Sequence, residues 1–143
     1  MKKIVLALSL VAVFSNCSST STSSNTTNQV SNTVNSVVNV ANAVGEINNL
    51  INGLGLSFSQ STSVMSTLTD YINQYNSLSG MSTNSQDYKN KIKKYKSTAL
   101  NNLSSTMGAN QYNNFINNLN NIETSNSSNL SNGTIAVLSS LVR

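Results

Sequence analysis

The sequence predicts an all-α fold, a small antiparallel bundle of about four helices, and three observations carry that prediction. Apolar residues recur at intervals of three and four from residue 30 onward, the spacing that places side chains on one face of a helix. Proline is absent from all 143 residues, which suits uninterrupted helices, because an interior proline costs about 3 kcal/mol. Glycines stand just past several of the apolar runs, where helices commonly stop.

The first run is Val30, Val34, Val37, Ala41 and Val44, stepping by four, three, four and three. Asn48 holds the next heptad position, and the stripe shifts to Ile47, Leu50, Ile51 and Leu54 before Gly53 and Gly55 signal a stop. The second run is Met65, Leu68, Ile72, Tyr75 and Leu78, closing at Gly80. The third is Tyr88, Ile92, Tyr95, Ala99, Leu103 and Met107, with Ser82, Thr83 or Asn84 offered as N-cap and Gly108 just beyond its end. The fourth is Tyr112, Phe115, Ile116, Leu119 and Ile122. After "TSNSSNLSNG", a loop by composition, comes a short C-terminal apolar segment, "TIAVLSSLV" at 134–142, which suits a helix or a strand equally.

Composition sets the weak point of this reading. Asn, Ser and Thr fill nearly half the chain, and with valine they are middling helix formers, so the helices must be held by packing rather than by propensity. The Val-Thr-Asn content of residues 26–44 keeps a partly β or partly disordered chain as the competing expectation. No repeat of fixed period points to a solenoid.

Chemistry-bearing residues are few. The chain has no histidine and one cysteine, with eight basic and four acidic residues for a net charge of +4. Its carboxylates, Glu46, Asp70, Asp87 and Glu123, fall one in or near each main helix and never two together. A bundle core that binds two metal ions needs histidines and more carboxylates than these. No nucleophile motif or phosphate-binding glycine loop is present. The expectation is a non-enzyme with no catalytic residues, no metal and no cofactor. Tyr71, Tyr75, Tyr112, Phe58 and Phe115 fall mostly on the apolar stripes and read as core.

One charged cluster stands out, "DYKNKIKKYK" at 87–96, with five of the eight basic residues. On a helix, Tyr88, Ile92, Tyr95 and Ala99 form an inward stripe flanked by Lys89, Lys93 and Lys96 on one side and by Lys91 and Lys94 on the other. Asp87 and Lys91 are spaced for an i,i+4 pair. Solvated lysines around a core-facing stripe are the plain reading. Contact with an anionic lipid surface or an acidic partner is the functional one, and nucleic acid is not expected as a partner.

The N-terminus has the parts of an export signal: Lys2 and Lys3, an apolar run from Ile4 to Phe14, then Ser15, Asn16 and Cys17. Eleven residues are too few for a helix to span a bilayer, which takes roughly 20. An exported protein with a single thiol has no internal disulfide to make, so that thiol is free, paired between chains or modified. Phe14-Ser15-Asn16-Cys17 resembles the lipobox of bacterial lipoproteins, with Ser15 and Cys17 in the family pattern and Phe14 and Asn16 outside it. The resemblance implies lipidation of Cys17, cleavage before it, and an anchor in the membrane. Ser18 in place of the aspartate that marks inner-membrane retention implies the outer membrane. Residues 18–28, "SSTSTSSNTTN", offer nothing apolar to bury and read as a flexible tether.

The expected organisation is therefore a signal peptide at 1–16, a lipidated Cys17 with tether at 17–29, and a helical domain at 30–143. Two functions remain open. One is an interaction or structural role in the bacterial cell envelope through helix faces, with an envelope protein or a second copy as partner, since the near-heptad valine stripe suits a coiled coil. The other is a module holding an apolar small molecule or lipid in the bundle core.

Overall fold

In the computed structural model, residues 37–122 and 129–143 are described, and their regular elements are five α-helices: α1 (Val40–Asn52), α2 (Phe58–Asn76), α3 (Gln86–Thr106), α4 (Ala109–Asn121) and α5 (Asn132–Val142). The regular structure of the described residues is all helical, and the segment 134–142 is helix. The tether at 17–29 lies outside the described residues, as do Val30, Val34 and Glu123.

Four of the five helices begin at a polar side-chain cap, and α4 begins at Gly108. The Asn39 side chain accepts from the Ala41 and Asn42 amides at 3.0 and 3.3 Å. Ser57 and Gln60 form a reciprocal capping box at the start of α2. Ser85, rather than Ser82, Thr83 or Asn84, caps α3, its hydroxyl accepting from Tyr88 N–H while it donates to the Ser82 carbonyl. The expectation fell one residue short because Ser82–Ser85 form a tight turn of their own, leaving Ser85 as the last residue with extended backbone. Ser131 caps α5. Two glycines reverse the chain in the left-handed region, Gly55 at φ 63° between α1 and α2 and Gly80 at φ 80° before α3.

Long-range hydrogen bonds fix how the helices run. Asn76, the last residue of α2, clamps the backbone of Val38 ahead of α1: its Oδ1 accepts from Val38 N–H and its amide donates to Val38 C=O, both at 2.9 Å. At the other end, Gln60 in the first turn of α2 donates to the carbonyl of Thr106, the last residue of α3, at 3.0 Å. The end of α2 therefore returns to the start of α1, and the end of α3 to the start of α2. Gln111 of α4 joins this corner by accepting from Gly108 N–H and donating to the Gly55 carbonyl, both at 2.9 Å. This glutamine clasp ties the turn between α1 and α2 to the turn between α3 and α4.

The core lies where α2 meets α1, α3 and α5, with α4 closing it against α5 and α3. Its fully buried large side chains include Ile47, Leu68, Tyr71, Leu103, Phe115 and Leu138. On α1 the structure corrects the sequence reading. The stripe Val37, Ala41 and Val44 does not enter the core; Ala43, Ile47 and Ile51 do. Burying the larger Ile and Leu side chains removes more apolar area from water than burying Val and Ala, so the helix turns its bulkier face inward. Val37 is left 67% exposed and Val44 37%.

Candidate functional site

The described residues present three surfaces with some shape or charge. The first is an open groove of about 620 Å³ along the outer seam of α1 and α2. Asn48 and Asn52 of α1 form one wall; Phe58, Thr62, Met65 and Thr69 of α2 form the other. Phe58, the first residue of α2, is 90% exposed, which corrects the expectation that it is core. Its position in the first helical turn, immediately after the cap, points it away from the packed end of the bundle. On a helix of 3.6 residues per turn, Asn48 and Asn52 continue the line of Ala41 and Val44. Val44 therefore stands one helical turn before the groove residue Asn48.

The second surface is α3. From Gln86 to Thr98 no side chain is fully buried; Tyr88, Ile92 and Tyr95 are half-buried, and Ala99 is the first residue of the helix to enter the core. Lys89, Lys91, Lys93 and Lys94 are exposed and Lys96 half-buried. Asp87 pairs with Lys91 at 2.9 Å, and that hydrogen bond raises the lysine above its ordinary pKa. Desolvation lowers Lys96. Thr98 and Asn102, on the Lys91–Lys94 flank, line a small crevice with Asp70.

The third surface is a trough of about 410 Å³ between α3, α4 and α5, with Leu100, Tyr112, Ile116, Leu141 and Val142 as its apolar lining and Lys96, Asn113 and Arg143 as its polar and charged lining.

The carboxylates stay apart. Glu46 accepts from the Ser131 hydroxyl at 3.1 Å, tying α1 to the start of α5, while Asp70 is exposed on α2 and Asp87 sits on α3. Among the described residues no three His, Cys, Asp or Glu side chains gather as a metal site requires, and no helix is long and apolar enough to cross a membrane. Cys17 lies outside the described residues.

Sequence reasoning found the lysine flanks and missed both grooves. No motif marks the first, because its signal is that Phe58 fails to be buried, which only packing reveals. The chain matches no protein-family model, no curated protein and no solved structure.

Proposed function

We propose that this chain is a lipid-anchored protein of the bacterial cell envelope, held in the outer membrane through Cys17, whose antiparallel helical bundle acts without catalysis by presenting a helix face to a protein partner. The observation that carries the interaction reading is the outward face of α1 and α2, where Phe58 stands 90% exposed at a groove floored by half-buried Leu56 and Met65, with the partly exposed Val44 one helical turn before the groove residue Asn48. Apolar residues gathered on one face of a small domain mark a surface that is covered in use. The hydroxyl and amide walls of the groove suit a partner helix bringing polar side chains of its own. A second copy of the chain is the simplest such partner.

The anchoring reading rests on Cys17 at the end of the apolar run. Two or three acyl chains, at about 0.8 kcal/mol per buried methylene, exceed what stable membrane attachment needs. Protein extracted from membranes is expected to have the mass of residues 17–143 plus acyl chains, and Cys17→Ala to lose both that mass and detergent-phase partitioning. An unmodified chain beginning near Asn16 would refute it.

The interaction reading is tested on the folded protein. Phe58→Ser removes an exposed ring with no core contact to lose, so stability should hold within about 0.5 kcal/mol. Concentration-dependent mass or cross-linking at the membrane should weaken at least tenfold, as expected for loss of an aromatic anchor worth about 2 kcal/mol. Unchanged association in Phe58→Ser would remove this face from consideration. The groove volume also falls within the range of small-molecule sites. A bound apolar ligand would appear in native mass spectra as a fixed added mass that Phe58→Ser sheds.

A further inference from the structure

The two lysine flanks of α3 differ in what surrounds them. On one, Lys91 is paired with Asp87 while Lys94 is exposed, and the line continues to Thr98 and Asn102, which border a small polar crevice with Asp70. On the other, Lys89, Lys93 and Lys96 form a stripe spaced four and three residues apart, and no carboxylate of the described residues pairs with any of them. The next step of four along that stripe is Leu100, which forms part of the floor of the trough between α3, α4 and α5. A row of three cations therefore runs into half-buried apolar side chains, among them Ile116 and Val142.

We propose that this flank docks on anionic phospholipid headgroups of the membrane that holds the anchor, with Lys89, Lys93 and Lys96 against the headgroups and the mouth of the trough toward the acyl boundary. The inference rests on the anchoring reading for its strength. From Cys17 to Asn39 the chain spans 22 peptide units, which reach at most about 75 Å. Tethered within that distance, the domain meets the bilayer at an effective concentration approaching millimolar, so a modest electrostatic attraction suffices. Each lysine at an anionic surface shifts the docked population by about fivefold. The choice of a bilayer over a soluble acidic protein comes from the trough that continues the stripe: charge alone would serve an acidic protein, whereas Lys89, Lys93 and Lys96, with Arg143 also lining the trough, border the apolar side chains of Leu100, Ile116 and Val142, matching the order of headgroup and acyl chain.

The test uses the membrane-extracted, full-length protein in phosphatidylcholine vesicles with and without phosphatidylglycerol. The rate of amine acylation is read at each lysine by mass spectrometry. Phosphatidylglycerol should slow labelling of Lys89, Lys93 and Lys96 severalfold, leave Lys91 and Lys94 within about twofold, and lose its effect near 1 M salt, where screening falls to about 3 Å. Lys89→Gln with Lys93→Gln should abolish protection of Lys96, and Lys91→Gln with Lys94→Gln should preserve it. Equal protection of all five lysines, or none, overturns the proposal. Protection by polyglutamate in solution without protection by vesicles would also overturn it, by assigning the stripe to an acidic protein. Flotation with pure phosphatidylcholine vesicles reports the anchor separately. If the protein fails to float there, phosphatidylglycerol-dependent flotation that the Lys89/Lys93 variant loses still decides the docking.

Discussion

Phe115→Ala is expected to lower the unfolding free energy by about 4 kcal/mol, the middle of the range for removing a fully buried aromatic side chain. Phe115 is fully buried and, with Leu119, supplies the buried apolar surface of α4, which Ile122 extends at the C-cap. That helix has 13 residues, seven of them asparagine, and such a sequence has little helicity alone. Its helical state is therefore a consequence of docking on α5 and α3. A domain of this size has about 5–15 kcal/mol of total stability, so one ring accounts for a large share. In urea the midpoint should fall by about 2 M at an m-value near 2 kcal/mol per molar. Phe115→Leu fills most of the same volume and should cost under about 1.5 kcal/mol. A loss below 1 kcal/mol in Phe115→Ala would place α4 outside the cooperative core. Because α4 also supplies Tyr112 and Ile116 to the trough beside Lys96, loosening it should impair that surface as well.

The runs on α2, α3 and α4 were legible because each has one apolar stripe with polar residues all round it. Leu68 and Ile72, Ala99 and Leu103, and Phe115 and Leu119 are buried where the spacing put them. On α1 two apolar sets compete, one of valine and alanine and one of isoleucine and leucine, and periodicity alone cannot choose between them. Tertiary packing against α2 chose the larger. On α5 the buried residues are Thr134, Val137, Leu138, Ser139 and Leu141, which wrap most of the helix. A segment covered on several sides loses its periodic signature, so 134–142 read equally as helix or strand. The clasp of Gln60 and Gln111 was invisible for a different reason. Glutamines abound on exposed helical faces, and only the meeting of two distant turns gives these two a common carbonyl, amide and side-chain network. The lysine flanks follow from helical angle alone, but which flank is unpaired and which adjoins an apolar trough depends on where Asp70, α4 and α5 pack.

The protein should lose stability at alkaline pH through one tyrosine. Tyr71 of α2 is 1% exposed, and burial pushes its hydroxyl up to about 12 from the ordinary 10. Its Oη lies 2.7 Å from Ser140 Oγ, which itself lies 2.6 Å from the Val137 carbonyl. With Ser140's single proton given to that carbonyl, Tyr71 is the donor between them and ties α2 to the end of α5; burial is what opposes its ionisation, while the Ser140 hydroxyl, able to turn and donate to a tyrosinate, offsets part of that cost. In the unfolded chain the tyrosine loses its proton from pH 10 upward, while in the fold it keeps it to about 12. Over that interval the native state binds more protons than the unfolded state, so the unfolding free energy falls as pH rises. The contribution is complete below pH 10, and its loss by pH 12 amounts to about 3 kcal/mol, two pKa units at about 1.4 kcal/mol each. Tyr75, also raised by burial, adds in the same direction. Lys96, lowered by desolvation, works against it. Comparing wild type with Tyr71→Phe cancels these other groups. The variant should be about 1 kcal/mol less stable near neutrality, having lost the hydrogen bond to Ser140. Its urea midpoint should then decline less steeply above pH 10, so that the two curves converge and cross. Parallel curves across that range would show that Tyr71 does not titrate between the two states, and that α5 is not sealed over it.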